Sequence, residues 1–131
     1  MELLLDTCTL LWAISDSDKL PKEIKKMIDD EKNTVFISIA SKWEIEIKHQ
    51  KNPSTMPFTA VDVENEIVLT DIRDLNIRVE YLNELKNIVS QGIQKDPFDH
   101  LLLATAKNEG MTLLTHDENV AKYQGVNVLF Y

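Results

Sequence analysis

Four acidic residues stand where the chain passes between predicted elements, and their spacing would allow them to meet in one pocket. Asp6 directly follows an apolar strand of three leucines, and Asp117 follows a second short apolar strand. Glu44 lies in a predicted helix and Asp99 at the start of another. In a parallel sheet covered by helices, two strand ends and two helices can converge on a single site.

Carboxylates gathered in one pocket repel each other unless a cation neutralises them. Mg²⁺ and Mn²⁺ prefer oxygen ligands and can supply the activated water and the charge stabilisation that phosphodiester hydrolysis needs. Asp6 is the acid least easily explained by structure alone, because a carboxylate next to buried leucines is costly without a partner. The pattern therefore predicts metal-dependent nuclease chemistry.

Each of the other acids also has a purely structural interpretation. Glu44 precedes Lys48 by four residues, the spacing of an ordinary ion pair on a helix. Asp96 and Asp99 could cap a helix, and Asp117 could belong to a turn that caps the next one. The pattern of acids, rather than any one of them, favours a site.

The segment around Asp99 predicts a helix followed by a strand. Asp96 is a good N-cap, Pro97 suits the first helical position and Gly110 is typical of a helix end. The apolar run Met111–Thr115 predicts a strand, and a short helix is expected over Glu118–Tyr123.

The rest of the chain alternates in the same way. We expect Ser41 to cap a helix in a capping box with Glu44, and Cys8 to point into the core. The remaining predicted elements are strands at 3–5, 35–39, 67–72 and 126–130, helices at 7–14, from Pro21, at 60–66 and at 75–89, and a loop at 50–58. This alternation predicts one α/β domain, residues 1–131, with a mostly parallel sheet between helices and a site at the carboxyl ends of its strands.

Composition limits the function further. A formal net charge of −8 argues against broad attraction to nucleic acid. The single Cys8 allows no internal disulfide, and no signal peptide or membrane span is expected, so we predict a cytoplasmic protein with no membrane partner. The spacing of His49, His100 and His116 fits no zinc motif, although His116 beside Asp117 could touch substrate.

The segments LLLDTCTLLW, SKWEIEIK, DPFDHLLLATA and LLTHDENVAKY, in this order and spacing, closely resemble the PIN-domain family, and in particular its VapC-type toxins. The resemblance covers essentially the whole chain. It implies a three-layer α/β/α sandwich and an endoribonuclease that uses one or two Mg²⁺ or Mn²⁺ ions. It also implies a homodimer and a cognate antitoxin that places part of itself in the acidic pocket.

The resemblance also assigns residues by position. It implies that the four metal-binding and catalytic acids of the family are here Asp6, Glu44, Asp99 and Asp117. Four further residues take supporting roles: Asp96 as a cap or supporting acid, with an outer metal role as the alternative, Thr7 and Thr115 as hydroxyls flanking the metal site, and Lys48 as a contact for phosphate. Where the subfamily usually has a basic residue after DPFD and His-Arg before it, this chain has His100 and Gln94-Lys95.

Other functional classes fit less well. A receiver-type signalling domain requires paired acids near the first strand, and here Asp6 stands alone. A haloacid-dehalogenase phosphatase requires a second aspartate where this chain has Cys8. A PIN fold that only binds another protein is the stronger alternative, which the four intact acids disfavour.

Overall fold

A five-stranded parallel sheet forms the middle of the fold. The computed structural model describes all residues, 1–131. The strands are β1 (Glu2–Leu5), β2 (Thr34–Ser38), β3 (Arg73–Leu75), β4 (Thr112–Thr115) and β5 (Asn127–Phe130). They lie in the order β3-β2-β1-β4-β5, and all four neighbouring pairs are parallel.

Helices cover both faces of this sheet. They are α1 (Thr7–Ile14), α2 (Lys22–Asp29), α3 (Ile39–Lys51), α4 (Ala60–Ile67), α5 (Val79–Val89) and α6 (Pro97–Glu109). Helices α1 to α4 pack on one face of the sheet, and α5 and α6 pack on the other. The expected three-layer α/β/α sandwich is confirmed, and no helix is long and apolar enough to cross a membrane.

The leucines of β1 show why the sheet lies between two helical layers. Leu3 and Leu5 belong to the core under α1 to α4, whereas Leu4 belongs to the core under α5 and α6. All three side chains are fully buried. A strand that is apolar without alternation fits this position, since both of its faces are covered.

Successive strands are added first on one side of β1 and then on the other, so the strand order reverses between β1 and β4. The chain moves from β1 outward to β2 and β3, then returns to the other side of β1 to form β4 and β5. The carboxyl ends of β1 and β4 therefore flank a topological switch point, where parallel α/β sheets form their sites.

Three expected elements differ from the structure. The strand expected at 67–72 is wrong, because α4 and the turn that follows it extend through this stretch and the strand forms at 73–75. The short helix expected over Glu118–Tyr123 is reduced to one 3₁₀ turn, Val120–Lys122. Helix α5 begins at Val79, four residues later than predicted.

Two side-chain predictions are also wrong. Helix α3 begins two residues before Ser41 and is capped by Ser38, whose hydroxyl accepts a hydrogen bond from the backbone N–H of Ala40 at 3.0 Å. Ser41 is instead buried inside the helix. Cys8 is exposed rather than in the core, because in the first turn of α1 the buried positions are those of Thr7, Thr9 and Leu10.

Candidate active site

The ends of β1 and β4 position the two strand-end aspartates. Asp6 caps α1, and its Oδ1 accepts a hydrogen bond of 2.8 Å from the backbone N–H of Thr9. Asp117 Oδ1 accepts a hydrogen bond of 2.8 Å from the backbone N–H of Asn119. Each aspartate is held by the turn that begins its next segment, which orients the carboxylate at the edge of the sheet.

Glu44 is placed by partners from two elements. The Thr7 hydroxyl donates to Glu44 Oε1 at 2.7 Å and lies 3.1 Å from the Ser41 hydroxyl. Lys48, one turn further along α3, reaches Glu44 Oε2 at 2.7 Å. Although burial disfavours its charge, the hydrogen bond and charge of Glu44 raise the pKa of Lys48. The Glu44 side chain is 8% exposed and hence fixed in one orientation.

Asp96 and Asp99 share the start of α6. The carboxylate of Asp96 accepts the backbone N–H of Asp99 at 2.9 Å, and Pro97 occupies the first helical position, both as predicted. Burial, followed by the nearby charge of Asp96, raises the pKa of Asp99 to about 7. A carboxyl group so easily protonated in isolation is one that gains from a nearby cation.

Lys95 places such a cation between two of the acids. Its ammonium group forms an ion pair with Asp117 and lies 3.4 Å from Asp99. The hydrogen bond to Asp117 is the main reason that the pKa of Lys95 is raised. Burial acts against the charge of Asp117, but the Lys95 hydrogen bond and the Asn119 N–H lower its pKa. Lys95 thus pairs more closely with Asp117 than with Asp99, and the charge of Asp99 is incompletely neutralised.

These side chains line one cavity of about 610 Å³. With His116 counted as neutral, Lys48 and Lys95 supply two positive charges against six negative ones, which gives the lining a formal charge of −4. The carboxylates in the lining are Asp6, Glu44, Asp96, Asp99, Asp117 and Glu118.

The donor set suits a hard divalent cation. The acids offer carboxylate oxygens, and Glu44 also has the Thr7 hydroxyl beside it. Oxygen ligands of this kind match Mg²⁺ and Mn²⁺. As the side chains lie, no three His, Cys, Asp or Glu groups are close enough together to hold one ion. The ammonium groups of Lys48 and Lys95 lie among the carboxylates and supply the positive charge that a metal ion would otherwise provide. Binding of a metal therefore needs side-chain rotation within the cavity and displacement of Lys95, but no change of fold.

The two predicted hydroxyl residues occupy different places. Thr7 lines the cavity and holds Glu44. Thr115 is fully buried behind it, where its hydroxyl accepts the backbone N–H of Asp117 at 3.1 Å. Thr115 therefore contributes to the position of Asp117 and has no exposed surface in the cavity.

Sequence reasoning did not place Cys8, Trp12 or Phe130 in this cavity, and it treated Lys95 only as a departure from a family pattern. All four line it. Cys8 and Trp12 are four residues apart and share one face of α1, a spacing that could have linked them. Phe130 reaches the cavity because it pairs with Thr115 across β4 and β5, a register that the sequence does not reveal.

Comparisons with known proteins agree with this architecture. The PIN domain family model matches residues 3–126. Among curated proteins, none matches the chain significantly.

Several solved structures share the fold. A chain of VapBC2 from Rickettsia felis, crystallised with a DNA fragment from its promoter, superposes with a TM-score of 0.75 at 15% identity, covering 99% of this chain and 98% of that one. FitAcB from Neisseria gonorrhoeae gives 0.69 at 19% identity, with 98% and 96% covered. VapC20 from Mycobacterium tuberculosis, described as a sarcin-ricin-loop-cleaving toxin, gives 0.58 at 15% identity, with 95% and 98% covered.

Proposed function

The chain belongs to the PIN domain family, and from this premise we propose that it is a Mg²⁺- or Mn²⁺-dependent endoribonuclease, the toxin of a toxin-antitoxin pair. The observation that carries the proposal is the convergence of Asp6, Glu44, Asp99 and Asp117 in one cavity at the switch point of the sheet. They come from four separate elements, so helix capping alone does not explain why they meet. The description of VapC20 as a cleaving toxin supports the same activity.

In this proposal the four acids hold one or two divalent ions directly or through water. When bound, such an ion supplies an activated water and neutralises charge developing on the phosphate during in-line attack. Glu44 is oriented by Thr7 on one oxygen and by Lys48 on the other. Asp6 and Asp96 keep their carboxylates fixed by capping α1 and α6.

The two lysines complete the mechanism. Lys48 is half exposed and lies at the wall of the cavity, so its ammonium can contact a non-bridging phosphate oxygen as well as Glu44. If a divalent ion were held by Asp99 and Asp117, the ammonium group of Lys95 would be available to neutralise the substrate phosphate or the departing oxygen.

We propose three further properties on the same basis. An antitoxin is expected to insert a basic side chain into the cavity, since its lining already accepts two ammonium groups and retains a charge of −4. A homodimer is expected, and α5 offers Val79, Leu82 and Val89 exposed on one face. The site of action is expected to be the cytoplasm, where RNA is available.

The test is cleavage of a mixed cellular RNA pool by purified protein with Mg²⁺ or Mn²⁺, or with EDTA. Asp6→Asn and Asp99→Asn should reduce the rate at least about a hundredfold, the order expected when charge stabilisation of a reacting centre is lost. Asp71→Asn is the matched control, because Asp71 is an exposed acid that lines a separate cavity beyond the amino ends of the strands. It should cut like the wild type, and circular dichroism should show that all variants fold.

Two results would contradict the proposal. Equal cutting by the wild type and both site variants would identify a contaminating nuclease. A folded, antitoxin-free wild type that cuts nothing with either metal would favour the alternative of a protein-binding PIN fold.

A further inference from the structure

One wall of the acidic cavity is aromatic. Trp12 from α1, His116 from the end of β4 and Phe130 from the end of β5 all line it. The rings of His116 and Phe130 are stacked, with centroids 6.0 Å apart and planes at 17°. Trp12 meets His116 edge-on, with centroids 5.5 Å apart and planes at 65°.

The members of this wall are not equally buried. Trp12 is half-buried and packs against the core under α1 to α4, and Tyr131 behind the cluster hydrogen-bonds to the Thr9 hydroxyl at 2.6 Å. His116 is exposed, and the side chain of Phe130 is 50% exposed. The half-buried rings of Trp12 and Tyr131 thus anchor the wall, while the two stacked rings of His116 and Phe130 remain open at the mouth of the cavity.

Charge determines what such a wall can contribute. Phosphates approaching a lining of formal charge −4, on a chain of net charge −8, gain little from long-range attraction. Affinity for a nucleic acid must then come largely from the bound metal and from contacts that carry no charge. A base stacked on an aromatic ring provides such a contact and tolerates any sequence.

We propose that His116 and Phe130, supported by Trp12, form a stacking site for one unpaired base of single-stranded RNA next to the phosphate that is cut. The inference rests on the proposed function, since it places the base beside the same carboxylates. His116 adjoins Asp117 in the chain and lines the same cavity, so a base on this wall lies beside the acids. A base held in a duplex cannot expose its face to the rings, so the wall selects single strands, loops or flipped bases.

The chain offers a direct readout of contact. It has only two tryptophans, and Trp43 lies outside the cavity, where it packs edge-on against Phe98. In a Trp43→Phe background, Trp12 becomes the only indole. A mixed-sequence 12-nucleotide RNA should quench its fluorescence, whereas the blunt duplex of the same sequence should not.

Substitutions of Phe130 separate stacking from simple packing. In that background, Phe130→Leu keeps an apolar side chain without an aromatic face and should weaken binding of the single strand about tenfold. Phe130→Tyr should retain binding. Leu69→Ala, which shortens an apolar side chain that is 81% exposed outside the cavity, is the matched control and should have no effect.

Binding is measured by fluorescence anisotropy in Mg²⁺ and in EDTA, with a gel that confirms intact RNA and thermal melts that confirm folding. Because Phe130 is uncharged, Phe130→Leu should lower affinity at every salt concentration and leave the slope of log K against log salt unchanged. A changed slope would mean that phosphate contacts have been lost instead.

The outcomes also separate the inference from the proposed function. Binding that depends on the Phe130 ring in a protein that cuts no RNA would support the stacking site and reject the nuclease. Cutting with equal affinity in wild type and Phe130→Leu would overturn the stacking site and leave the nuclease in place. The stacking site would also be overturned if Phe130→Leu weakened binding of the duplex as much as binding of the single strand, since the wall would then be a general binding surface. A change from dimer to monomer in Phe130→Leu, measured by light scattering, would overturn it too, since the wall would then be a protein-binding surface.

Discussion

The acidic cavity makes the metal-free protein less stable than its fold allows, and Asp99 is the residue where this cost should be measurable. Burial and the charge of Asp96 raise the pKa of Asp99 from 3.8 to about 7. The folded state therefore keeps a proton on Asp99 that the unfolded state has already released. Since the unfolded state binds fewer protons between these two pH values, the free energy of unfolding falls as pH rises from about 4 to about 7.

Asp99→Asn removes the proton equilibrium and imitates the neutral carboxyl. One pKa unit corresponds to about 1.4 kcal/mol, so a shift of about three units costs the wild type about 4 kcal/mol once Asp99 is fully ionised. Part of this cost is already present at pH 5. The advantage of Asp99→Asn over the wild type should therefore grow by about 2.5 kcal/mol between pH 5 and pH 8.

The assay is urea denaturation of both proteins in EDTA at pH 5, 6, 7 and 8. Taking the difference between the two proteins at each pH cancels every other titrating group that they share. Asp71→Asn controls for the loss of one negative charge from the acidic chain. Added Mn²⁺ should then stabilise the wild type and leave Asp99→Asn nearly unchanged, because the variant lacks one of the proposed ligands. A difference that stays constant across the pH range would refute the reasoning.

Three further predictions concern groups in and near the site. Lys95→Met removes the ammonium that competes for the carboxylates, so Mn²⁺ affinity measured by calorimetric titration should rise on the order of fivefold; a fall would show that the lysine assists the metal. Although Cys8 reaches solvent, partial desolvation of its thiol and the nearby acids raise its pKa, so its alkylation by iodoacetamide at pH 7.5 should be slower than that of glutathione; equal rates followed by mass spectrometry would contradict this. Lys42, whose side chain is 9% exposed, pairs with Glu64 and Asp74. Lys42→Met should therefore lower the free energy of unfolding, measured in urea, by about 1–2 kcal/mol. The triple variant that also neutralises both acids should recover most of this loss. No recovery would show that packing of the lysine stem, rather than its charge, is responsible.

The parts of the fold that sequence predicted well have strong local signals. Helix α6 was located by Asp96, Pro97 and Gly110, and the structure shows the cap, the proline and a left-handed glycine at φ 69° in those places. The leucines of β1 predicted a strand covered on both faces because no polar residue interrupts them. These features depend on neighbours within a few residues.

The failures come from choices that only tertiary structure makes. Ser38 and Ser41 are both residue types that cap helices well. Strand β2 ends at Ser38 and α3 begins at the next residue, so Ser38 is the cap. The apolar stretch at 67–72 reads as a strand, but α4 and its terminal turn use it. The meeting of the four acids could be expected because the strands of the predicted sheet are parallel. The position of Lys95 between two of the acids depends on the loop before α6, whose sequence has no periodic pattern from which its course could be predicted. Phe130 entered the site through strand register, which one sequence does not determine.

The strand order has a consequence for the making of the protein. The central strand β1 finds one neighbour early, in β2, but its other neighbour, β4, is synthesised only near the end of the chain. A ribosome-bound nascent chain that stops before Thr112 lacks Asp117 and lacks the strand β4 that pairs with β1. We therefore expect the proposed ribonuclease activity to be absent throughout most of translation, and a chain truncated at residue 111 should show no stabilisation by Mn²⁺. If the proposed activity is correct, it would arise only after the nearly complete polypeptide has left the exit tunnel, so that an inhibitory partner translated beforehand could already be present.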